Sequence, residues 1–142
     1  MLQLSESGQN LVITWPWWLG VLMVALGIAL AVHVCRHFEW HGRMAGLVAA
    51  TALLVGGGIH FLTYRITLTP EEGRAYALVG GRQRLDWSQA TSITMEERRG
   101  RGTSMWLVVH SAAGRRFEFT VTGLSGPEEH RVREYIAARI GK

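Results

Sequence analysis

A chain of 142 residues with one cysteine has room for one small domain beside any membrane segment, and it excludes an internal disulfide. Its 48% hydrophobic content and net charge of +4 average two unlike halves. Residues 1–62 balance Arg36 and Arg43 against Glu6 and Glu39, so the whole basic excess lies in residues 63–142. Such an excess suits a surface that meets anionic headgroups, nucleic acid or an acidic partner, and equally a domain kept soluble by charge.

Residues 1–11 read as a polar N-terminal tail. The tail has no Lys or Arg, so it lacks the positive region of a secretory signal, and the first span is expected to stay in the mature protein. Residues 12–62 read as a transmembrane helical hairpin with spans 12–35 and 44–62. The runs VITWPWWLGVLMVALGIALAVHV (12–34) and MAGLVAATALLVGGGIHFL (44–62) contain no Asp, Glu, Lys or Arg. At about 1.5 Å of rise per residue, either run crosses a hydrocarbon layer roughly 30 Å thick. The break between them, R-H-F-E-W-H-G-R (36–43), is too short to be a domain, so the spans must run antiparallel.

Trp15, Trp17 and Trp18 cluster where the first span begins, Trp40 marks the turn, and Tyr64 marks the return. Rings with an apolar body and a polar tip favour the headgroup level, so all five read as interface anchors. Pro16 suits a first helical turn, where its missing N–H costs little. Small residues predict where helices meet. Gly20, Gly27 and Ala31 share one face of the first span, and Ala45, Ala49, Ala52 and Gly56 share a face of the second. In lipid, such faces let two backbones approach closely, either within the hairpin or against another subunit.

From residue 63 the hydrophobic period changes to two. Ile66 and Leu68, Tyr76 and Leu78, Leu85 and Trp87, Ile93 and Met95, then Met105, Leu107 and Val109, and finally Phe117, Phe119 and Val121 alternate with polar neighbours. Alternation of this kind buries one face of each strand. About six short strands separated by P-E-E-G, G-G, R-R-G-R-G and A-A-G predict an antiparallel meander curled around one core. Ser125 with Glu128 three residues on predicts a capping box, and Val132, Tyr135, Ile136 and Ile140 mark the apolar face of a C-terminal amphipathic helix. Gly141 suits the position just past its end.

Strands followed by one closing helix is the plan of pleckstrin-homology-like (PH-like) domains. Y-R-I-T-L-T-P-E-E-G (64–73), G-G-R-Q-R-L-D-W-S-Q-A-T-S-I (80–93), G-R-R-F-E-F (114–119) and G-L-S-G-P-E-E (123–129) resemble the domain of small bacterial membrane proteins with paired spans. The step Trp87-Ser88-Gln89-Ala90 matches their lead into the next strand, and the resemblance covers roughly residues 64–140. It implies residues 63–142 folded as a PH-like antiparallel β domain of six or seven strands. It implies no shared catalytic set, and fold does not fix function.

His33, His37 and His41 recur every four residues, a spacing that can bind a transition metal on one helix face. Cys35 points about 200° away from His33 on such a helix, and Gly42 ends it, so interfacial polar side chains account for them better. His33 and His60 also suggest a haem between two histidines, but they lie near opposite faces of the membrane. Arg98, Arg99 and Arg101 form the strongest charge cluster and are candidate ligands for lipid phosphate, with Glu96 and Glu97 beside them. No aromatic platform is interleaved with basic residues, which argues against nucleic acid. No nucleophile–base pair, phosphate-cradling loop or paired carboxylates emerge, so no enzyme, cofactor or metal site is expected.

Two classes of function lead, with a third behind them. One is a non-enzymatic accessory, scaffold or assembly subunit of a larger membrane complex, docking through the hairpin with the β domain at the surface. The other is a stand-alone membrane-anchored module that binds lipid or peptide. A haem- or metal-carrying electron-transfer subunit is a third. Expected partners are membrane lipids and other integral membrane proteins, with a homo-oligomer as an alternative. Within about 20 residues of the spans, Arg65, Arg74 and Arg82 outnumber Arg36 and Arg43, which favours a C-terminal domain in the cytoplasm, and the resemblance implies a bacterial inner membrane.

Overall fold

The computed structural model describes residues 2–36, 43–77, 81–100 and 102–140, and these divide into two compact units. One is the helical hairpin, residues 15–64, and the other joins residues 1–14 to residues 65–142.

In the hairpin, α1 (Trp17–Arg36) and α2 (Arg43–Thr63) lie antiparallel. Their stretches Trp17–Arg36 and Ala45–Thr63 are each long and apolar enough to cross a membrane. Helix α1 starts later than expected. Proline disfavours helical geometry in the residue before it, so Trp15 stays outside and Pro16 leads into Trp17.

The second unit contains two antiparallel sheets. One has five strands in the order β1 (Gln3–Ser7), β2 (Asn10–Thr14), β3 (Arg65–Leu68), β4 (Glu72–Ala77) and β5 (Gly81–Asp86). A single 3-10 turn, Trp87–Gln89, leads to the second, formed by β6 (Ala90–Arg99), β7 (Thr103–Ser111) and β8 (Arg116–Thr120). Helix α3 (Gly126–Ala137) follows. Ser125 precedes it, donating its backbone N–H and Oγ to Glu128 Oε2 at 2.8 and 2.7 Å. Val132 and Ile136 on α3 are fully buried with Ile13, Ile66, Leu68, Leu107, Val109 and the rings of Trp87, Phe117 and Phe119.

The first strand pair departs from the expected tail. Residues 3–14 form a hairpin whose turn rests on Gly8, at φ 63°, a conformation that glycine adopts without strain. Leu11 and Ile13 point into the core, and β2 pairs with β3 in the register Thr14↔Arg65. The apolar stretch Leu11–Val12–Ile13 runs on into Trp15, which disguised a strand as the start of a span. The helical hairpin is therefore an insertion between two neighbouring strands of one sheet.

Most of the expected alternation is present. Leu85, Phe117, Phe119 and Val121 are buried, whereas Ile93, Met95 and Met105 are half-buried. Tyr76 is a correction: it lies on the outer face and is 37% exposed, while Gly73 and Ala75 take the inner positions of β4. Leu78 and Gly141 lie outside the described residues.

Candidate functional site

The seam of the helical hairpin uses only some of the predicted small residues. A methyl group at Gly20 would stand 2.6 Å from Leu62 Cγ and 2.9 Å from the carbonyl oxygen of Gly58, and one at Gly27 would stand 2.6 Å from Val55 Cγ2. Gly20 and Gly27 are thus buried against α2, whereas Ala31 is half-buried. Ala45, Ala49 and Ala52 are exposed instead, and a methyl at Gly56 meets nothing within 4 Å. The face of α2 that contacts α1 carries Leu54, Val55, Gly58 and Leu62, so the Ala45–Ala49–Ala52 face is left outward.

The pairs Gly20–Leu62 and Gly27–Val55 set the register and put His60 level with Leu22. That is eleven residues, about 16 Å, from His33, too far for one haem to take both as axial ligands. Trp17 and Trp18 are exposed on the first turn of α1, and Trp15 packs edge-on against Phe61 with centroids 4.8 Å apart. Tyr64 follows α2, its N–H donating to the His60 carbonyl at 2.9 Å. His37, Trp40 and His41 lie outside the described residues.

Arg98 and Arg99, singled out in the sequence, sit at the end of β6. Arg98 donates to both oxygens of Glu118, at 2.7 and 3.3 Å, and to Glu96 at 3.2 Å. Its guanidinium lies 4.6 Å from the Trp106 ring centroid. Arg99 pairs with Glu97 at 3.1 Å, and Arg116 pairs with Glu96 at 2.6 Å. The hydrogen bond from Arg98 holds the Glu118 carboxyl below its ordinary value. Arg98 and Arg99 are thus matched by carboxylates of their own sheet, and Arg101 lies outside the described residues.

A second basic region emerges only once the strands are paired. Thr67↔Arg74 and Arg74↔Arg84 form one cross-strand row on the outer face of β3–β4–β5, and Arg65↔Tyr76 and Tyr76↔Arg82 form the next. Together they line a concave surface of about 450 Å³. The Arg82 guanidinium lies 5.4 Å from the Tyr76 ring centroid. Glu72 lies in the cross-strand row beyond Arg74 and Arg84: it is 6% exposed and accepts hydrogen bonds from both arginines. Arg65 and Arg82 have no carboxylate partner among the described residues. The signal in the sequence was the spacing of two in R-I-T (65–67), R-A-Y (74–76) and R-Q-R (82–84), on the polar phase of three successive strands.

Burial alone would raise the Glu72 carboxyl, but the hydrogen bonds and charges of Arg74 and Arg84 outweigh it and hold the group below its ordinary value. The folded state therefore keeps this carboxylate ionised where the unfolded chain protonates it. Its contribution is complete above the unfolded value of about 4.3 and is lost as pH falls through the lower folded value. Denaturation of the full chain in detergent at pH 7 and pH 3 should show a loss of stability on acidification. That loss should be smaller in Glu72→Gln, which at pH 7 should itself cost about 1–2 kcal/mol, because both guanidiniums face solvent.

Among the described residues no three His, Cys, Asp or Glu side chains gather as a metal site. No model of a known protein family matches the chain, and no curated protein matches it.

Proposed function

We propose that the chain is a non-enzymatic two-pass protein of a bacterial inner membrane, an accessory or assembly subunit of a larger membrane complex. In this reading the hairpin docks on other integral membrane proteins and holds a PH-like domain at the cytoplasmic surface. The observation that carries it is the division of the small residues. The α1–α2 seam is made by Gly20, Gly27 and Gly58, and it leaves Ala45, Ala49 and Ala52 outward on α2. In lipid, where apolar burial drives no association, a face of small side chains is where a further helix packs most closely.

Two antiparallel sheets followed by α3 support the PH-like reading, with β1–β2 as an addition at the N-terminus. Arg65, Arg74 and Arg82 near the end of α2 support a cytoplasmic domain. A stand-alone module that binds anionic lipid is the second reading, and it draws support from the arginine rows of β3–β5 rather than from Arg98 and Arg99.

Extraction in a mild detergent tests the accessory role. A partner retained by the native chain should be lost from the doubly substituted Ala49→Leu/Ala52→Leu chain, whose hairpin seam is untouched. Migration of the native chain solely as a monomer or homodimer overturns the reading. So does a partner that both chains retain equally.

A further inference from the structure

We infer that the outer face of β3–β4–β5 is a binding site for the phosphate of an anionic phospholipid headgroup, with Arg65, Arg74, Arg82 and Arg84 as its cationic ligands and Thr67 and Tyr76 between them. The inference rests on the reading of the hairpin as a membrane anchor.

Charge bookkeeping on the two sheets motivates it. On β6–β8, Arg98, Arg99 and Arg116 each have a glutamate partner. On β3–β5, four arginines share one face with Glu72, and Asp86 in the same cross-strand row as Glu72 accepts from Ser88 N and Oγ. Arg74 and Arg84 are directly opposite one another, an arrangement of like charges that normally destabilises a sheet. Glu72 relieves that repulsion from one side, yet their side chains remain 62% and 72% exposed. Arg65 and Arg82, in the next row, make no salt bridge to a carboxylate among the described residues. A tetrahedral dianion or diester placed in the concavity supplies the missing acceptors, and guanidinium groups are well shaped to bind it.

The source of the phosphate follows from covalent connection. Helix α2 ends at Thr63 and β3 begins at Arg65, so the Arg65 Cα is no more than about 7.6 Å along the chain from that of the last helical residue. Its partner Thr14 is likewise three residues before α1 starts. Both chain crossings therefore meet the sheet at the row Thr14–Arg65–Tyr76–Arg82. Adjacent strands are about 4.8 Å apart, which keeps Tyr76 and Arg82 within two strand spacings of Arg65. A row tied so closely to two span ends is within reach of the headgroup layer. An exposed tyrosine beside two arginines is a suitable composition for that layer.

The full chain, reconstituted into nanodiscs of equal phosphatidylcholine and phosphatidylglycerol, tests this by counting the lipids that native mass spectrometry finds retained per protein. The native chain should retain phosphatidylglycerol over phosphatidylcholine, and Arg65→Gln/Arg82→Gln should lower that retention about tenfold. Arg82→Gln alone, at an exposed position that the fold does not need, should move it in the same direction. Arg98→Gln/Arg99→Gln should leave it unchanged. Equal retention by the native and Arg65→Gln/Arg82→Gln chains overturns the site. A native chain that shows no lipid preference but binds inorganic phosphate through the same arginines overturns the lipid assignment in favour of a soluble anion. Release of the chain from membranes by alkaline carbonate removes the anchor reading itself, an outcome distinct from failure of the arginine face.

Discussion

Trp87→Ala should destabilise the β domain by about 3–5 kcal/mol, against a typical domain stability of about 5–15 kcal/mol. The indole is 1% exposed and packs edge-on against Phe117, with centroids 6.0 Å apart. Its Nε1–H donates to the Thr69 carbonyl at 2.8 Å, tying the end of β5 to the turn that connects β3 and β4. Gly73 is bare because the ring needs that space: a methyl there would stand 2.5 Å from Trp87 Cη2 and 3.0 Å from Phe117. Truncation removes the largest buried side chain, leaves a cavity between the two sheets, and strands the Thr69 acceptor. Hydrogen exchange of the Leu107, Val109 and Phe117 amides in the detergent-solubilised chain reads the loss. Protection should fall by a factor of about 100–1,000 or more. Trp106→Ala, at a half-buried ring beneath Arg98, should cost less than half as much. Equal effects at the two tryptophans would show that Trp87 does not hold the sheets together.

The same ring shows what can be read from the sequence. Leu85 and Trp87, like Phe117, Phe119 and Val121, stand out because large apolar side chains alternate with charged ones, and alternation survives without knowledge of the partner strand. Tyr76 was misread for the opposite reason. Its inward neighbours Gly73 and Ala75 are small, so the only strong apolar signal on β4 came from a residue facing out. The N-terminal hairpin was hidden by continuity, since Leu11–Val12–Ile13 merges with the first span, although Pro16 marks the boundary and Leu2 and Leu4 begin the alternation.

Contacts that depend on register were not legible. Arg98 finds Glu118 across two strand pairings, and the rows through Arg74 and Tyr76 need three strands aligned. Helical spacing likewise shows which small residues share a face, not which face turns inward. That is why Gly20 and Gly27 could be grouped on one face of α1 while the α2 residues opposite them, Gly58 and Val55, were not assigned to the seam. The candidate site was therefore visible only as a composition of arginines, and its location required the sheet.

Gly58→Leu should open the helical hairpin, whereas Gly56→Leu, two residues away, should not. At Gly58 a methyl group would stand 2.7 Å from Val24 Cγ2, 2.8 Å from the Gly20 carbonyl oxygen and 3.0 Å from the Val24 nitrogen. Two of those three atoms are backbone, so a side chain can be admitted only if the helices move apart. Moving them loses the close contacts that stand in for the hydrophobic effect inside lipid, at a cost of about 1–3 kcal/mol. At Gly56 the same substitution enters open space. It also improves helix propensity by about 1 kcal/mol. Spin labels on Val21 and Ile59, both exposed, in a chain whose exposed Cys35 is replaced by serine, would report the separation. The expected distance change is a broadened, longer distribution for Gly58→Leu and the native one for Gly56→Leu. If the two variants behave alike, the seam is not where Gly20 and Gly58 place it. In that case the Ala45–Ala49–Ala52 face is no longer free for a partner. If they differ as expected, Ala49→Leu in the otherwise native, spin-labelled chain should leave the distance at its native value and disturb only what binds from outside.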